Sequence, residues 1–202
     1  MSENGRTATE AEADDASLIA RSRHEPEVFA EVFRRYAPQI KRYVTRRLGP
    51  DAAEDVVADT FLLAFRQRDR YDLSQPNARP WLYGIATNRI GRHRRGEVRL
   101  LRALARTGTD PVTESFTDRS DERVSATAVR RRLADALAKL PASHRDALLL
   151  VAWGGFGYAD AAQALGVPIG TVRSRLSRAR TKLREELGGA DPTSFGEEAL
   201  HG

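Results

Sequence analysis

Residues 157–187 read GYADAAQALGVPIGTVRSRLSRARTKLREEL, and the spacing inside this stretch decides the fold class. Ala162 is small where two helices must approach closely. Gly166 stands where the first of them must end in a left-handed turn, which glycine adopts at least cost. Pro168 sets the turn, and Val172 opens the buried stripe of a second helix. On a 3.6-residue wheel Val172, Leu176, Ala179 and Leu183 converge on one face, while Ser174, Ser177, Arg178 and Thr181 point the opposite way. Arg173 and Arg175 flank them. A helix that enters the major groove needs this division: one face in a core, one against base edges, and flanking arginines on phosphates. A solvated basic helix, the plainer reading of the Arg content, does not call for Ala162, Gly166, Pro168 and Val172 at this spacing. The stretch predicts a helix-turn-helix.

Upstream the apolar period stays helical. Residues 1–24 are polar at first and carry the acids Glu10, Glu12, Asp14 and Asp15, so a largely disordered tail is expected there. Phe29, Val32, Phe33 and Tyr36, then Ile40, Tyr43, Val44 and Leu48, predict two amphipathic helices divided at Ala37-Pro38. Gly49-Pro50 stops the second, and Asp51 caps a third helix with Ala53, Val56, Val57, Phe61, Ala64 and Phe65 inward. A polar loop over 69–79 leads to Pro80-Trp81, which opens a fourth helix burying Leu82, Ile85, Ala86 and Ile90. Residues 25–97 thus read as a four-helix domain.

Residues 98–127 begin as a basic helical extension and then turn Thr-, Asp- and Ser-rich around Pro111, with an acidic patch at Asp118, Asp121 and Glu122. That is a flexible linker. A second domain is read over 128–187. Val129, Leu133, Leu137 and Leu140 form one stripe, Pro141 breaks it, Ser143 caps the next helix, and Gly154, Gly155 and Gly157 make a turn. Residues 188–202 are a C-terminal tail. No segment has a convincing β period, so the expected fold is all-α, with two small helical domains joined by a linker.

Composition narrows the function classes. The 202 residues carry 33 Lys and Arg against 28 Asp and Glu, a net charge of +5, and the base is nearly all Arg, the cation suited to phosphates and guanine edges. With no Cys, disulfides, thiolate metal sites and a cysteine nucleophile are excluded. The four His are scattered, and no cofactor, metal or catalytic residue is expected. No apolar run is long enough to span a bilayer and the acidic N-terminus does not read as a signal peptide, so a cytoplasmic protein is expected.

Three stretches, AAEDVVADTFLLAF (52–65), PWLYGIATNRI (80–90) and residues 157–187 quoted above, together resemble bacterial sigma factors of the extracytoplasmic-function (ECF) group. The resemblance covers about 25–97, similar to sigma region 2, and 125–187, similar to region 4. It implies a non-catalytic factor that binds core RNA polymerase at the β′ clamp and β flap and directs initiation at promoters. Glu54, Asp55, Asp59 and Leu62 on the third helix would dock on the clamp. Asn77 and Arg79 in the loop, with Asn88, Arg92 and Arg95 on the fourth helix, would hold the −10 element as single strand. Thr171, Arg173, Ser174, Arg175, Ser177, Arg178 and Arg180 would read the −35 element. An anti-sigma protein is a further implied partner; membrane insertion and an obligate homo-oligomer are not expected. Two other readings stay open. One is a stand-alone helix-turn-helix repressor or activator. The other is a carboxylate-metal hydrolase built on Glu54, Asp55 and Asp59, which lacks a nucleophile–base pair or a Gly-rich phosphate loop.

Arg178→Ala is expected to cost about 1–3 kcal/mol and to relax base preference at one −35 position. Binding to a randomised promoter library checks this; equal loss on every sequence would make Arg178 a phosphate contact.

Overall fold

Segments with a 3.6-residue apolar period bury one face each, and nine such helices do so among the described residues of this chain. The computed structural model describes residues 14–107 and 121–187, with 121–126 taken by their backbone alone. The helices are α1 (Asp15–Arg21), α2 (Phe29–Leu48), α3 (Pro50–Gln67), α4 (Arg79–Arg92), α5 (Arg94–Thr107), α6 (Asp121–Lys139), α7 (Ala142–Ala152), α8 (Tyr158–Leu165) and α9 (Ile169–Glu186). No strand occurs among the described residues, and no described helix is long and apolar enough to cross a membrane.

Helices α1–α5 form a first unit around Leu18, Ile19, Val32, Ile40, Val44, Ala64, Leu82, Ala86 and Ile90, all buried. Helices α6–α9 form a second around Leu140, Ala147, Leu150, Val172, Leu176 and Ala179. Several boundaries differ from the sequence expectation. Helix α2 is continuous through Pro38: that residue is exposed, so water can satisfy the carbonyl its missing N–H leaves open. Phe33, expected inward, is 46% exposed. Asp51 lies inside the first turn of α3, whose N-cap is Gly49 at φ +86°, and Pro141 rather than Ser143 occupies the N-cap of α7. The basic extension is helical to Thr107, and α6 already begins at Asp121. The segment read as linker therefore contains helix at both ends. Residues 108–120, with Asp118, lie outside the described residues, as do the tails 1–13 and 188–202; the side chains of Asp121 and Glu122 are likewise not described.

The tail read over 1–24 holds α1. Asp14 caps it, accepting from Ser17 N at 2.8 Å, and its apolar Leu18 and Ile19 are buried. Asp15 is buried as well, and its carboxylate accepts from the Ala78 N–H at 2.8 Å and from the Tyr36 hydroxyl, with Arg35 alongside. Burial, reinforced by this hydrogen bond, pushes the Tyr36 phenol well above its ordinary pKa. One acidic residue thus fixes the loop that enters α4.

The two units meet along a seam where α4 packs on α8. Gly84 sits at the crossing, and a Cβ there would overlap the Ala164 carbonyl of α8. Tyr83 meets Phe156 edge-on at 4.9 Å between ring centroids, and the Arg79 guanidinium lies 4.4 Å from the Phe156 centroid while donating to Gly154 O. Deeper in the seam, Arg47 of α2 pairs with Glu97 of α5 and with Asp146 of α7, each at 2.5 Å, and Arg145 of α7 pairs with Glu97 at 3.1 Å. Arg145 also donates to Leu137 O and Leu140 O at 3.1 and 3.2 Å, closing the carbonyls that end α6. Burial works against the Arg47 charge, and Tyr43, Glu97 and Asp146 more than offset it, so its pKa is raised. Breaking a buried ion pair from one side costs about 3–5 kcal/mol. Glu97→Gln is therefore expected to lower stability by roughly that amount in urea unfolding, whereas a loss under ~1 kcal/mol would describe a solvent-exposed pair.

Candidate nucleic-acid interface

Gly157 opens α8 without a side-chain cap, and Gly166 ends it in the left-handed conformation at φ +61°. Pro168 is the N-cap of α9, and Val172, Leu176, Ala179 and Leu183 are its buried stripe, as the spacing predicts. Opposite that stripe Arg173, Ser174, Ser177 and Arg178 are exposed, with Thr171, Arg175 and Arg180 half-buried on the flanks. Arg180 donates to the Tyr158 hydroxyl at 3.3 Å, which ties α9 to the start of α8 and limits that guanidinium's reach. His144 of α7 faces this cationic helix. Burial, then Arg178, Arg175 and Lys182, lower its pKa below the ordinary 6.5.

On the first unit Asn88, Arg92 and Arg95 are exposed along α4 and the start of α5. The loop residues behave differently. Asn77 Oδ1 accepts from Arg79 N at 2.9 Å and from the Tyr36 hydroxyl at 3.3 Å, so it acts as a brace for α4. Arg79 is turned into the seam, between the Phe156 and Tyr83 rings, and is not presented with the other −10 candidates. Trp81 packs on Tyr71 at 4.9 Å, a core contact. Arg89, on the flank of α4, pairs with Asp59 of α3 at 3.9 Å.

Helix α3 presents Glu54, Asp55, Asp59 and Leu62 to solvent. Glu54 is paired with Lys41. Leu62 is 48% exposed, and Phe33 lies beside its neighbour Phe61 at 4.8 Å between centroids. Exposed apolar side chains rimmed by carboxylates suit a protein contact. Phe33 was missed from sequence because its spacing matched the core set of α2. Among the described residues, no group of three or more His, Asp or Glu is placed to hold a metal ion.

The comparisons place this geometry in a family. Residues 32–106 match Sigma-70 region 2 and residues 125–183 match Sigma-70 region 4. The chain is 33% identical to the RNA polymerase sigma factor CarQ of Myxococcus xanthus over 165 residues, covering 80% of this chain and 90% of that one. It is 35% identical to the ECF RNA polymerase sigma factor SigM of Mycobacterium tuberculosis over 184 residues, covering 88% and 86%. Among solved structures, the Bartonella quintana sigma factor RpoE in complex with the anti-sigma factor NepR aligns with a TM-score of 0.54 and 27% identity, over 80% of this chain and 98% of that one. The chain belongs to the sigma-70 family, in the ECF group: DNA-binding initiation factors that act with RNA polymerase, and not enzymes.

Phosphates laid on α9 would cancel the repulsion that its arginines exert on His144. Adding a −35 duplex is therefore expected to raise the His144 pKa towards 6.5, read by NMR titration of the histidine rings. Without DNA, a lowered folded pKa means the unfolded chain binds the extra proton. This contribution to stability is complete above 6.5 and is lost as pH falls through the folded pKa. No movement on adding DNA would place the duplex on another face.

Proposed function

We propose that α9 reads the −35 element through Arg173, Ser174, Ser177 and Arg178, with Thr171, Arg175 and Arg180 towards the backbone. Helix α4 and the start of α5 hold the melted −10 strand through Asn88, Arg92 and Arg95. Asn77 shapes the entry loop, and Arg79 joins the site only after leaving the seam. Glu54, Asp55, Asp59, Leu62 and Phe33 form the docking face for the β′ clamp, and the second unit takes the β flap. The protein works in the cytoplasm, and an anti-sigma protein is a further partner.

The observation that carries this reading is that one chain presents two separate exposed, Arg-bearing polar faces, on α4 with the start of α5 and on α9, each on its own unit. The distance between them requires motion. The −35 and −10 elements lie about 25 base pairs apart, or ~85 Å of duplex at ~3.4 Å per pair. With α4 packed on α8 and α9 next in line, the two reading helices are separated here by about two helix spacings, ~20 Å. The closed arrangement cannot read both elements at once. Strand opening then follows from differential binding, since bases held by α4 exist only in the melted state. Polymerase favours the open arrangement by offering both units separate docking places.

Pull-down with core polymerase, followed by transcription over a promoter library, tests the function; absence of association would overturn it. Gly84→Ala is expected to loosen the seam, because the added Cβ has no room beside Ala164. Free protein should then sample the open arrangement, read as a larger radius of gyration in small-angle scattering. Unchanged dimensions would mean that the α4–α8 contact does not hold the two units together.

A further inference from the structure

A groove of about 1090 Å³ runs between α5 and α6, lined by seven arginines and a single carboxylate, Asp135. Its walls come from different units. The region 2 match ends at residue 106, inside α5, and the region 4 match begins at 125, inside α6. Arg131 reaches Thr107 O at the end of α5, while Arg145, bound to the carbonyls at the end of α6, meets Glu97 near the start of α5. The helices therefore run antiparallel, and the groove exists only while the seam is shut.

The charge on its walls is largely uncompensated among the described residues. Among the described residues none of the seven arginines has an ion-pair partner, and Asp135 is itself held by Lys139 at 2.9 Å. Arg131 and Arg132 each spend one donor on a carbonyl, Thr107 O and Glu186 O, out of about five per guanidinium. Gathering so many cations in one groove favours an anion that enters it. The spacing indicates its shape. Arg95, Arg99, Arg102 and Arg106 recur at intervals of four, three and four residues along α5, a stripe ~16 Å long at ~1.5 Å per residue. A stacked strand presents a phosphate every ~3.4 Å, so the stripe spans about five. One compact anion would meet only part of it. A duplex offers one strand to a groove between helices ~8–10 Å apart and leaves the other wall without a phosphate. The lining has no aromatic side chain, so nothing in it selects a base.

We propose that this groove binds single-stranded nucleic acid along its phosphate backbone, without sequence preference, and that the bound strand holds the two units closed. A ligand that needs both walls binds the closed form alone and shifts the population towards it. Non-promoter strands thereby compete with promoter reading. The proposal rests on the closed arrangement, and a separate scattering measurement tells its failure from failure of that arrangement.

The test uses the full chain without polymerase and a fluorescein-labelled dT12 strand, followed by anisotropy as salt rises. Binding is expected with a log–log salt slope near −3.5, about −0.7 for each of about five phosphates. Arg99→Ala with Arg102→Ala, or Arg131→Ala with Arg132→Ala, should each weaken binding about tenfold and flatten the slope by ~1.4. These side chains are exposed, so circular dichroism should be unchanged. An rU12 strand should bind like dT12, Gly84→Ala should weaken binding, and Arg178→Ala should leave it intact. Small-angle scattering should show a closed chain both without dT12 and with it, and dT12 should return Gly84→Ala towards those closed dimensions. Retained affinity in both double variants, or its loss in Arg178→Ala, would overturn the site. Displacement by an equal concentration of inorganic tripolyphosphate would overturn the strand as occupant in favour of a compact anion. Scattering that shows an open free chain would refute the closed arrangement itself.

Discussion

Glu97 holds two arginines at once, and the relation between the two halves of this protein depends on it. Its carboxylate takes Arg47 from its own unit and Arg145 from the other, with Asp146 balancing the count at two cations and two anions. All of these groups except Asp146 are almost fully buried. Such a cluster is costly to bury and costly to break from one side. It also makes the seam specific, because only one register brings both cross-unit pairs together. When the seam parts, each half keeps a cation and an anion: Arg47 with Glu97, and Arg145 beside Asp146. Water then solvates what the interface had paired, so the seam can open without leaving a charge stranded in a core.

The apolar part of the seam fixes which surfaces are covered. Gly84 lets α4 lie directly on α8, and Arg79 and Tyr83 lock against Phe156 and Gly154. The covered faces belong to α4, proposed to hold the −10 strand, and to α8, the first helix of the helix-turn-helix. On the proposed reading, promoter recognition and a closed seam are alternatives because closure holds α4 and α9 too near each other to span both elements. What favours the open state must supply contacts to the separated units, which polymerase and promoter do and free DNA of one element alone does not.

Much of the architecture was legible because it is local. The turn glycine at 166, the stripe from Val172 to Leu183 and the exposed serines and arginines of α9 follow from helical period and φ preference alone. The exposed acids of α3 and the outward Asn88 and Arg92 follow in the same way. What escaped is tertiary. Asp15 looked like part of an acidic tail, yet it anchors the Ala78 amide 63 residues away. Nothing in the sequence singles out Arg47, Glu97 and Arg145, since a charged side chain carries no mark of the partner that buries it. Arg79 fits a strand-binding loop by type and position, and only the Phe156 ring beside it shows that it serves the seam first. Pro38 looked like a helix break, and its exposure makes it tolerable.

If the chain rests closed and opens to read a promoter, its two units must move apart when polymerase and promoter bind. Because the sequence has no cysteine, a pair introduced at Glu31 and Glu185, both exposed, can carry spin labels without background. Pulsed electron–electron resonance on the free protein and on the complex with core polymerase and promoter then measures the separation directly. One narrow distance is expected in the free protein, lengthened by tens of ångströms in the complex, as elements ~85 Å apart require. The same distance in both states would contradict the opening.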